Sequence, residues 1–295
     1  MESASSKRAF GYLFFTFFIW ASIYVAGKLI AGEVPPYLVA CLRCVTGILP
    51  LLFMSHGCWQ QKIARQDWKW LALIGFLGYF LTFQLIQLGI SLTGASIAAL
   101  VNSVTPVAVT VLAAFYLKEK ITVVKCFCLV LAIAGTVVIS GGAATSGDVY
   151  GIIAILAAVI AFGAASVFIR SMTAKYPPVL VTTYGMVFSL FFNIPVGMFS
   201  ALYQPVHFSP LVVGVIIYLG FIGSGVAQFS WTKALSLLPA STCSLFYPLQ
   251  PIFSAFLGAI FLGETFTTNF FIGLVLISLD VVLNGWEARR WAAKA

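Results

Sequence analysis

Residues Ser91–Thr122 read S-L-T-G-A-S-I-A-A-L-V-N-S-V-T-P-V-A-V-T-V-L-A-A-F-Y-L-K-E-K-I-T, and residues Ser236–Thr267 read S-L-L-P-A-S-T-C-S-L-F-Y-P-L-Q-P-I-F-S-A-F-L-G-A-I-F-L-G-E-T-F-T. Set side by side at a constant offset of 145, the two stretches share, without a gap, Ser91/Ser236, Leu92/Leu237, Ala95/Ala240, Ser96/Ser241, Leu100/Leu245, Pro106/Pro251, Leu112/Leu257, Ala114/Ala259, Leu117/Leu262, Glu119/Glu264 and Thr122/Thr267. Two unrelated apolar helices match Leu and Ala by chance but seldom match Pro and Glu in register. A second pair agrees: Glu33–Val39 is E-V-P-P-Y-L-V and Lys175–Val181 is K-Y-P-P-V-L-V, each after a long apolar segment. One ancestral unit has been duplicated.

Composition places that unit in a membrane. Of 295 residues, 61% are hydrophobic and 8% charged, and the mean hydropathy is +1.06, whereas an ordinary soluble domain carries about 25% charged residues. A spanning helix needs roughly 20 apolar residues. Ten such stretches can be drawn, at about 10 to 31, 35 to 55, 70 to 91, 95 to 117, 122 to 141, 149 to 171, 178 to 202, 209 to 232, 240 to 262 and 267 to 286. They are too long for barrel strands and do not alternate, so the fold class is an all-α integral membrane protein. The first segment follows Lys7-Arg8 but is longer than a signal-peptide core and lacks a small-x-small site, and we expect it to be retained.

The cations set an orientation. With a cytoplasmic amino terminus, the inside segments hold Lys7, Arg8, Lys62, Arg65, Lys69, Lys118, Lys120, Lys125, Arg170, Lys175, Lys233, Arg289, Arg290 and Lys294, and of the 16 Lys and Arg only Lys28 and Arg43 lie elsewhere. The positive-inside rule therefore predicts an inner-membrane, multi-pass chain with both termini cytoplasmic. The same rule accounts for the net charge of +8. No basic stripe interleaves with exposed aromatics, so no nucleic-acid partner is expected. Cys41-x-x-Cys44 has metal or redox spacing but lies on an apolar helix with no second pair and no nearby His, and reads as two small hydrophobes; Cys126 and Cys128 read the same way.

A small, polar linker at Gly141–Gly147 divides the chain into residues 1–146 and 147–295, five helices each. An odd number of crossings per half inserts the second copy upside down, and inverted repeats are the architecture of alternating access. The ten-helix duplicated layout, Trp20 and Lys28 of helix 1, the Pro-Pro-x-Leu-Val start of helices 2 and 7 followed by Arg43, and the Pro-(x)12-Glu signature of helices 4 and 9 resemble the EamA-type drug/metabolite transporters. That resemblance implies export of a small metabolite, such as an amino acid or an analogue, across the inner membrane, with no cofactor.

Candidate site residues come from polar and aromatic groups within the spans. Helix 3 carries Tyr79, Gln84 and Gln87; helix 4 carries Asn102 before Pro106; helix 8 carries Gln228 and Trp231; helix 9 carries Ser244, Tyr247 and Gln250 before Pro251. Each proline removes a hydrogen bond about midway along a span, and the carbonyl it frees needs a partner, which a substrate cavity supplies. Trp20, Tyr24 and Phe162 add rings that offer an organic solute apolar area. Arg43 lies about eight residues into helix 2, roughly 12 Å at 1.5 Å per residue, where an ion is costly enough to warrant a function. It either binds a substrate carboxylate or donates to backbone carbonyls. Asp280, the one acid deep in a span, is either a carrier for a coupling proton or an interfacial residue.

Other features read as structural. Glu119 and Glu264 are expected to cap the helix starts at Thr122 and Thr267. Trp68 and Trp70, beside Arg65 and Lys69, read as an interfacial belt. Gly89, Gly94, Gly135, Gly220, Gly223 and Gly225 read as close-approach positions. The expected substrate is neutral or zwitterionic, because acids are scarce where amides, hydroxyls and rings abound, and it sits between helices 1, 3, 4, 6, 8 and 9.

Three alternatives stand beside that reading. An organic or quaternary cation could sit in an aromatic cage. A channel is disfavoured, because an inverted duplication builds one site with two gates. An enzyme is disfavoured because His56 and His207 both lie in loops, which leaves Gly223-Ser224-Gly225 without a base. The small-molecule substrate and the lipid bilayer are the expected partners, with a monomer or dimer both open.

Overall fold

The computed structural model describes residues 2–30, 32–58, 60–93, 98, 101–139, 149–262, 268, 271–273, 275–276, 278–280, 282–283 and 286. The linker at Gly141–Gly147, Gly94, Glu264, Thr267, Arg289, Arg290 and Lys294 therefore lie outside the described residues. Among the described residues the fold is all-helical. The ten helices are α1 (Glu2–Leu29), α2 (Pro36–Ser55), α3 (Arg65–Leu92), α4 (Thr105–Tyr116), α5 (Val123–Ile139), α6 (Val149–Thr173), α7 (Pro178–Tyr203), α8 (Pro210–Leu237), α9 (Ala240–Phe261) and α10 (Phe271–Asp280). Seven of them (α1–α3 and α6–α9) are long and apolar enough to cross a bilayer on their own.

The repeated Pro-Pro pair shows how sequence becomes local structure. Pro35 and Pro177 precede α2 and α7 in nearly the same extended conformation (φ −55°, ψ 137° and φ −55°, ψ 136°), and the second proline opens the helix. A proline there loses no hydrogen bond and has its φ pre-set for the first turn. The duplicated words thus start equivalent helices in equivalent ways.

Packing between the halves is reciprocal. α2 lies against α7; α3 packs on α6 and α7 while α8 packs on α1 and α2; α4 packs on α6 while α9 packs on α1. Each cross-half contact has its counterpart under exchange of the halves, which is the pattern of a two-fold relation. Loop contacts agree with ten crossings. Lys175 and Tyr176 donate to Asp67 (3.1 and 2.8 Å), joining the α2–α3 and α6–α7 loops. Glu119 accepts from Ala240 N (2.9 Å), joining the α4–α5 and α8–α9 connections. His207 N donates to Glu33 O (2.9 Å), joining α1–α2 to α7–α8. In each case the two loops fall on the same side when every helix crosses once.

The outer surface is apolar, as lipid requires: Phe53, Phe115 and Val123 are more than four-fifths exposed. Polar residues turn inward, and Thr16, Arg43, Thr105, Ser166, Asn193 and Gln228 are all buried.

Two features depart from regular α-helix, at matching places in both halves. Gly75–Leu81 and Tyr218–Val226 are π-helical, with wide turns in which Thr82 N returns to Leu77 O and Ala227 N to Ile222 O. Hydroxyls help to hold these turns, because Thr82 Oγ1 donates to Leu77 O (2.7 Å) and Ser224 Oγ to Leu219 O (3.1 Å). Close approach accompanies them: a Cβ on Gly75 would lie 2.4 Å from Gly185 O, and one on Gly220 would lie 2.9 Å from Arg43 O. The second departure corrects the expectation that Pro106 and Pro251 each remove a hydrogen bond midway along a span. The helix is interrupted at Ser103–Val104 and again at Leu245–Pro248, and a new segment starts at Thr105 and at Leu249. The prolines occupy the opening turns of those segments, where their missing N–H is no loss. Tight bonds such as Val104 N to Val101 O (3.2 Å) and Leu249 N to Phe246 O (3.1 Å) carry the backbone across the breaks.

One further expectation is corrected. Glu119 caps the first turn of α9 in the other half, not its own neighbour: it also accepts from Ser241 N (3.2 Å) and from the Ser241 hydroxyl. Thr122 Oγ1 takes the local role, accepting from Lys125 N (3.2 Å). Trp68 and Trp70 are half-buried between helices. Trp68 packs edge-on to Tyr184 of α7 (5.0 Å between centroids) and Trp70 against Phe168 of α6 (5.2 Å).

Candidate functional site

A cavity with about 520 Å³ of open space, its mouth included, lies where the two halves meet. Its walls are Trp20, Ile23 and Tyr24 of α1, Arg43 of α2, Thr82, Phe83, Ile86 and Ile90 of α3, Asn102 at the α4 break, Phe162 of α6, Gln228 of α8, and Tyr247 and Gln250 at the α9 break. Ile90 lies near the end of α3, so the cavity extends from mid-span toward the face that carries the α1–α2 turn.

Three rings, Trp20, Phe162 and Tyr247, form the floor, with Trp231 packed behind them. Trp20, Phe162, Trp231 and Tyr247 touch one another in all six combinations, with centroids 5.7 to 6.1 Å apart. Phe17 closes the cluster from behind, 4.9 Å from Tyr247. These separations are ordinary for packed aromatic pairs. The rings fill one another's space and present only one side of the cluster to the cavity.

The polar groups come from both halves. Asn102 Nδ2 donates to Gln250 Oε1 (3.3 Å), so the two helix breaks are tied side chain to side chain. Tyr24 adds its hydroxyl beside Asn102. Arg43, 5% exposed, donates through Nε to Ser224 Oγ (3.2 Å), and its guanidinium carbon lies 4.9 Å from the centre of the Phe83 ring. Ser224 passes its own proton to Leu219 O, and so is a fixed acceptor for Arg43. Gln228 is 1% exposed, with its amide beside the Tyr79 hydroxyl. No carboxylate is among the lining residues.

The structure gathers Trp20, Tyr24, Arg43, Asn102, Phe162, Gln228, Tyr247 and Gln250 at the cavity and sends the remaining candidates elsewhere. Gln84 turns toward α7 and donates to Asn193 Oδ1 (2.8 Å). Asn193 in turn donates to Tyr79 O (3.3 Å), so Tyr79 and Gln84 belong to the α3–α7 crossing. Gln87 is buried but does not line the cavity. Trp231 is wholly buried behind the ring wall, and Ser244 donates back to Ser241 O (2.9 Å). Asp280 is fully buried against α5, where Cys128 Sγ lies 3.7 Å from its backbone oxygen, and it too is outside the cavity. The π-helical turns shift the register of α3 and α8, which is why helical spacing alone does not find Thr82 and Phe83.

This arrangement, a polar chamber at the meeting of two duplicated bundles, can be compared with known proteins. The profile of the EamA-like transporter family matches residues 8–141 and again residues 149–286. The chain belongs to the EamA-like transporter family. An uncharacterized transporter of Archaeoglobus fulgidus is 27% identical over 271 residues, covering 90% of this chain and 94% of that protein. The Bacillus subtilis uncharacterized transporter YetK is 24% identical, with 88% and 81% covered. A WAT1-related chloroplastic protein of Arabidopsis thaliana is 25% identical, with 90% and 67% covered. A crystal structure 20% identical to this chain superimposes with a TM-score of 0.80 over 98% of this chain and 99% of the other, and shares the fold. An EamA-like protein is a multi-pass membrane transporter rather than an enzyme.

Proposed function

We propose that this EamA-like transporter moves a small neutral or zwitterionic metabolite, of the size and kind of an amino acid, outward across the cell membrane by alternating access. The observation that carries this reading is the cavity wall. It draws amides, hydroxyls and rings from both halves and contains no carboxylate among the described residues. Such a wall offers a zwitterion several hydrogen-bond partners and offers a bare cation no counter-charge. The packing of the four rings on one another weighs against an aromatic cage, in which separated ring faces surround the cation.

Alternating access fits the placement of contacts. On the side we assign to the cytoplasm, Asp67 with Lys175 and Tyr176, and Glu119 with Ala240 and Ser241, clasp one half to the other. The cavity extends the opposite way. Five crossings per half would put these halves in opposite senses, so the exchanged arrangement opens the chamber to the other face. The assignment of sides follows from the cation distribution and predicts that a carboxy-terminal reporter is cytoplasmic.

Counterflow in proteoliposomes tests the proposal. Unlabelled amino acid trapped inside should accelerate uptake of the same labelled amino acid, with saturation. Saturable acceleration by choline or a polyamine, and by no amino acid, would overturn the substrate class. Unsaturable uptake without acceleration would overturn alternating access.

A further inference from the structure

We propose that Arg43 is the residue that reads the substrate's charge, by holding a single carboxylate; the inference rests on the solute site proposed above.

The argument starts from what Arg43 lacks. A guanidinium has five N–H donors. Arg43 uses one, through Nε, on the hydroxyl of Ser224, and Phe83 covers its face. The ion pair among the described residues is Lys175–Asp67 in the loops, and the cavity wall has no acid. The side chain is 5% exposed, yet its terminal nitrogens are not among the buried atoms without a partner, so they open into the cavity it lines. An ion at membrane depth without a counter-ion is costly. Backbone carbonyls do not offset that cost, because no hydrogen bond from the terminal nitrogens to a protein group is present among the described residues. The second sequence reading of Arg43, as a donor to carbonyls, therefore finds no support.

The unpaired guanidinium nitrogens face a space whose described lining offers no anion of its own. A carboxylate is planar, carries one charge and accepts in pairs, which suits a guanidinium fork. A phosphate monoester would bring about two charges to a wall with one cation. The remainder of the solute lies along Trp20, Phe162 and Tyr247.

Thermal unfolding of the purified protein with four shape-matched probes tests this: L-phenylalanine and 3-phenylpropionate, which have the carboxylate, and L-phenylalaninamide and phenethylamine, which do not. The first two should raise the melting temperature and the last two should leave it unchanged. Arg43→Gln should weaken the response to the carboxylates by roughly ten- to a hundred-fold in half-saturating concentration. Without a solute, Arg43→Gln should melt at the wild-type temperature or above, since it removes a buried charge that has no partner. A structural arginine would give a lower melting temperature. Ser224→Ala, which leaves the guanidinium in place, should retain carboxylate binding. Equal shifts from the amide and the acid, or full carboxylate response in Arg43→Gln, would overturn the proposal. Counterflow separates the two readings: acceleration by solutes that lack a carboxylate leaves the transporter standing without its anchor, whereas Arg43-dependent binding with no counterflow does the reverse.

Discussion

At the scale of single residues, the informative groups are polar ones whose partners lie in the other half. Asn102 and Gln250 meet across the two helix breaks, and each is buried. Replacing either alone by Leu leaves a buried amide short of a bond, at a cost of about 1–3 kcal/mol. Replacing both should cost less than the two single changes added together, with a coupling of about 0.5–1.5 kcal/mol. Melting temperatures of the wild type, both single variants and the double variant would show it, and strict additivity would mean that the pair does not interact. Asp280 poses the opposite case, since both of its carboxyl oxygens are buried without a partner. We expect Asp280→Asn to remove the pH dependence of net uptake while counterflow, which needs no net proton movement, continues. A pH profile unchanged from that of the wild type would dismiss Asp280 as a coupling site.

At the scale of elements, helix ends and helix interruptions carry the design. α9 begins in the second half but is capped from the first, by Glu119 on Ala240 N and Ser241 N, and Lys125 Nζ adds a bond to Ser241 Oγ (2.6 Å). A carboxylate is well placed at a helix start, where unpaired N–H groups and the positive end of the dipole both favour it. Glu119→Ala should therefore lower stability by about 1–2 kcal/mol, with Glu119→Gln intermediate because it retains one acceptor oxygen. Thermal unfolding in detergent measures the loss, and an unchanged melting temperature in Glu119→Ala would show that the cap adds nothing. The repeat itself points to the role. Glu119 and Ser241 both belong to identities at the 145 offset, with Glu264 and Ser96 as their sequence counterparts, so the paired words code for contacts between halves as well as for a helix shape. Lys125 has no such counterpart, because residue 270 is Phe.

For the whole molecule, the two halves adhere over a broad front in which α2 packs on α7, α3 on α6 and α7, and α8 on α1 and α2. We place the boundary between halves in the Gly141–Gly147 stretch, with residues 1–146 and 147–295 as units. A protease site inserted there and cleaved after purification should leave two fragments that co-elute and still support counterflow. Separation of the fragments on size exclusion would refute an assembly held by the helix interface. Lipid-facing residues such as Phe53 and Phe115 contribute to the bilayer fit and not to that interface, so their replacement by Leu should leave both properties unchanged.

Much of this could be read before any coordinates. Membrane residence, ten spans and the duplication follow from composition and from Pro106/Pro251 and Glu119/Glu264 in register, because a bilayer demands long apolar helices and a repeat preserves its own spacing. Half of the chamber was visible too, since polar residues and rings beside the prolines stand out against an apolar background. What the linear order could not say is which polar residue faces which neighbour. Gln84 and Gln228 look alike in sequence, yet one is spent on Asn193 and the other opens on the cavity. Likewise Glu119 stands three residues from Thr122 but serves a helix start 121 positions away. Spacing along a helix reports its faces only while the turn is regular, and the π-helical stretches and breaks change that count just where the cavity lies. Partner choice depends on how the two bundles lock together, a three-dimensional fact that no local pattern contains.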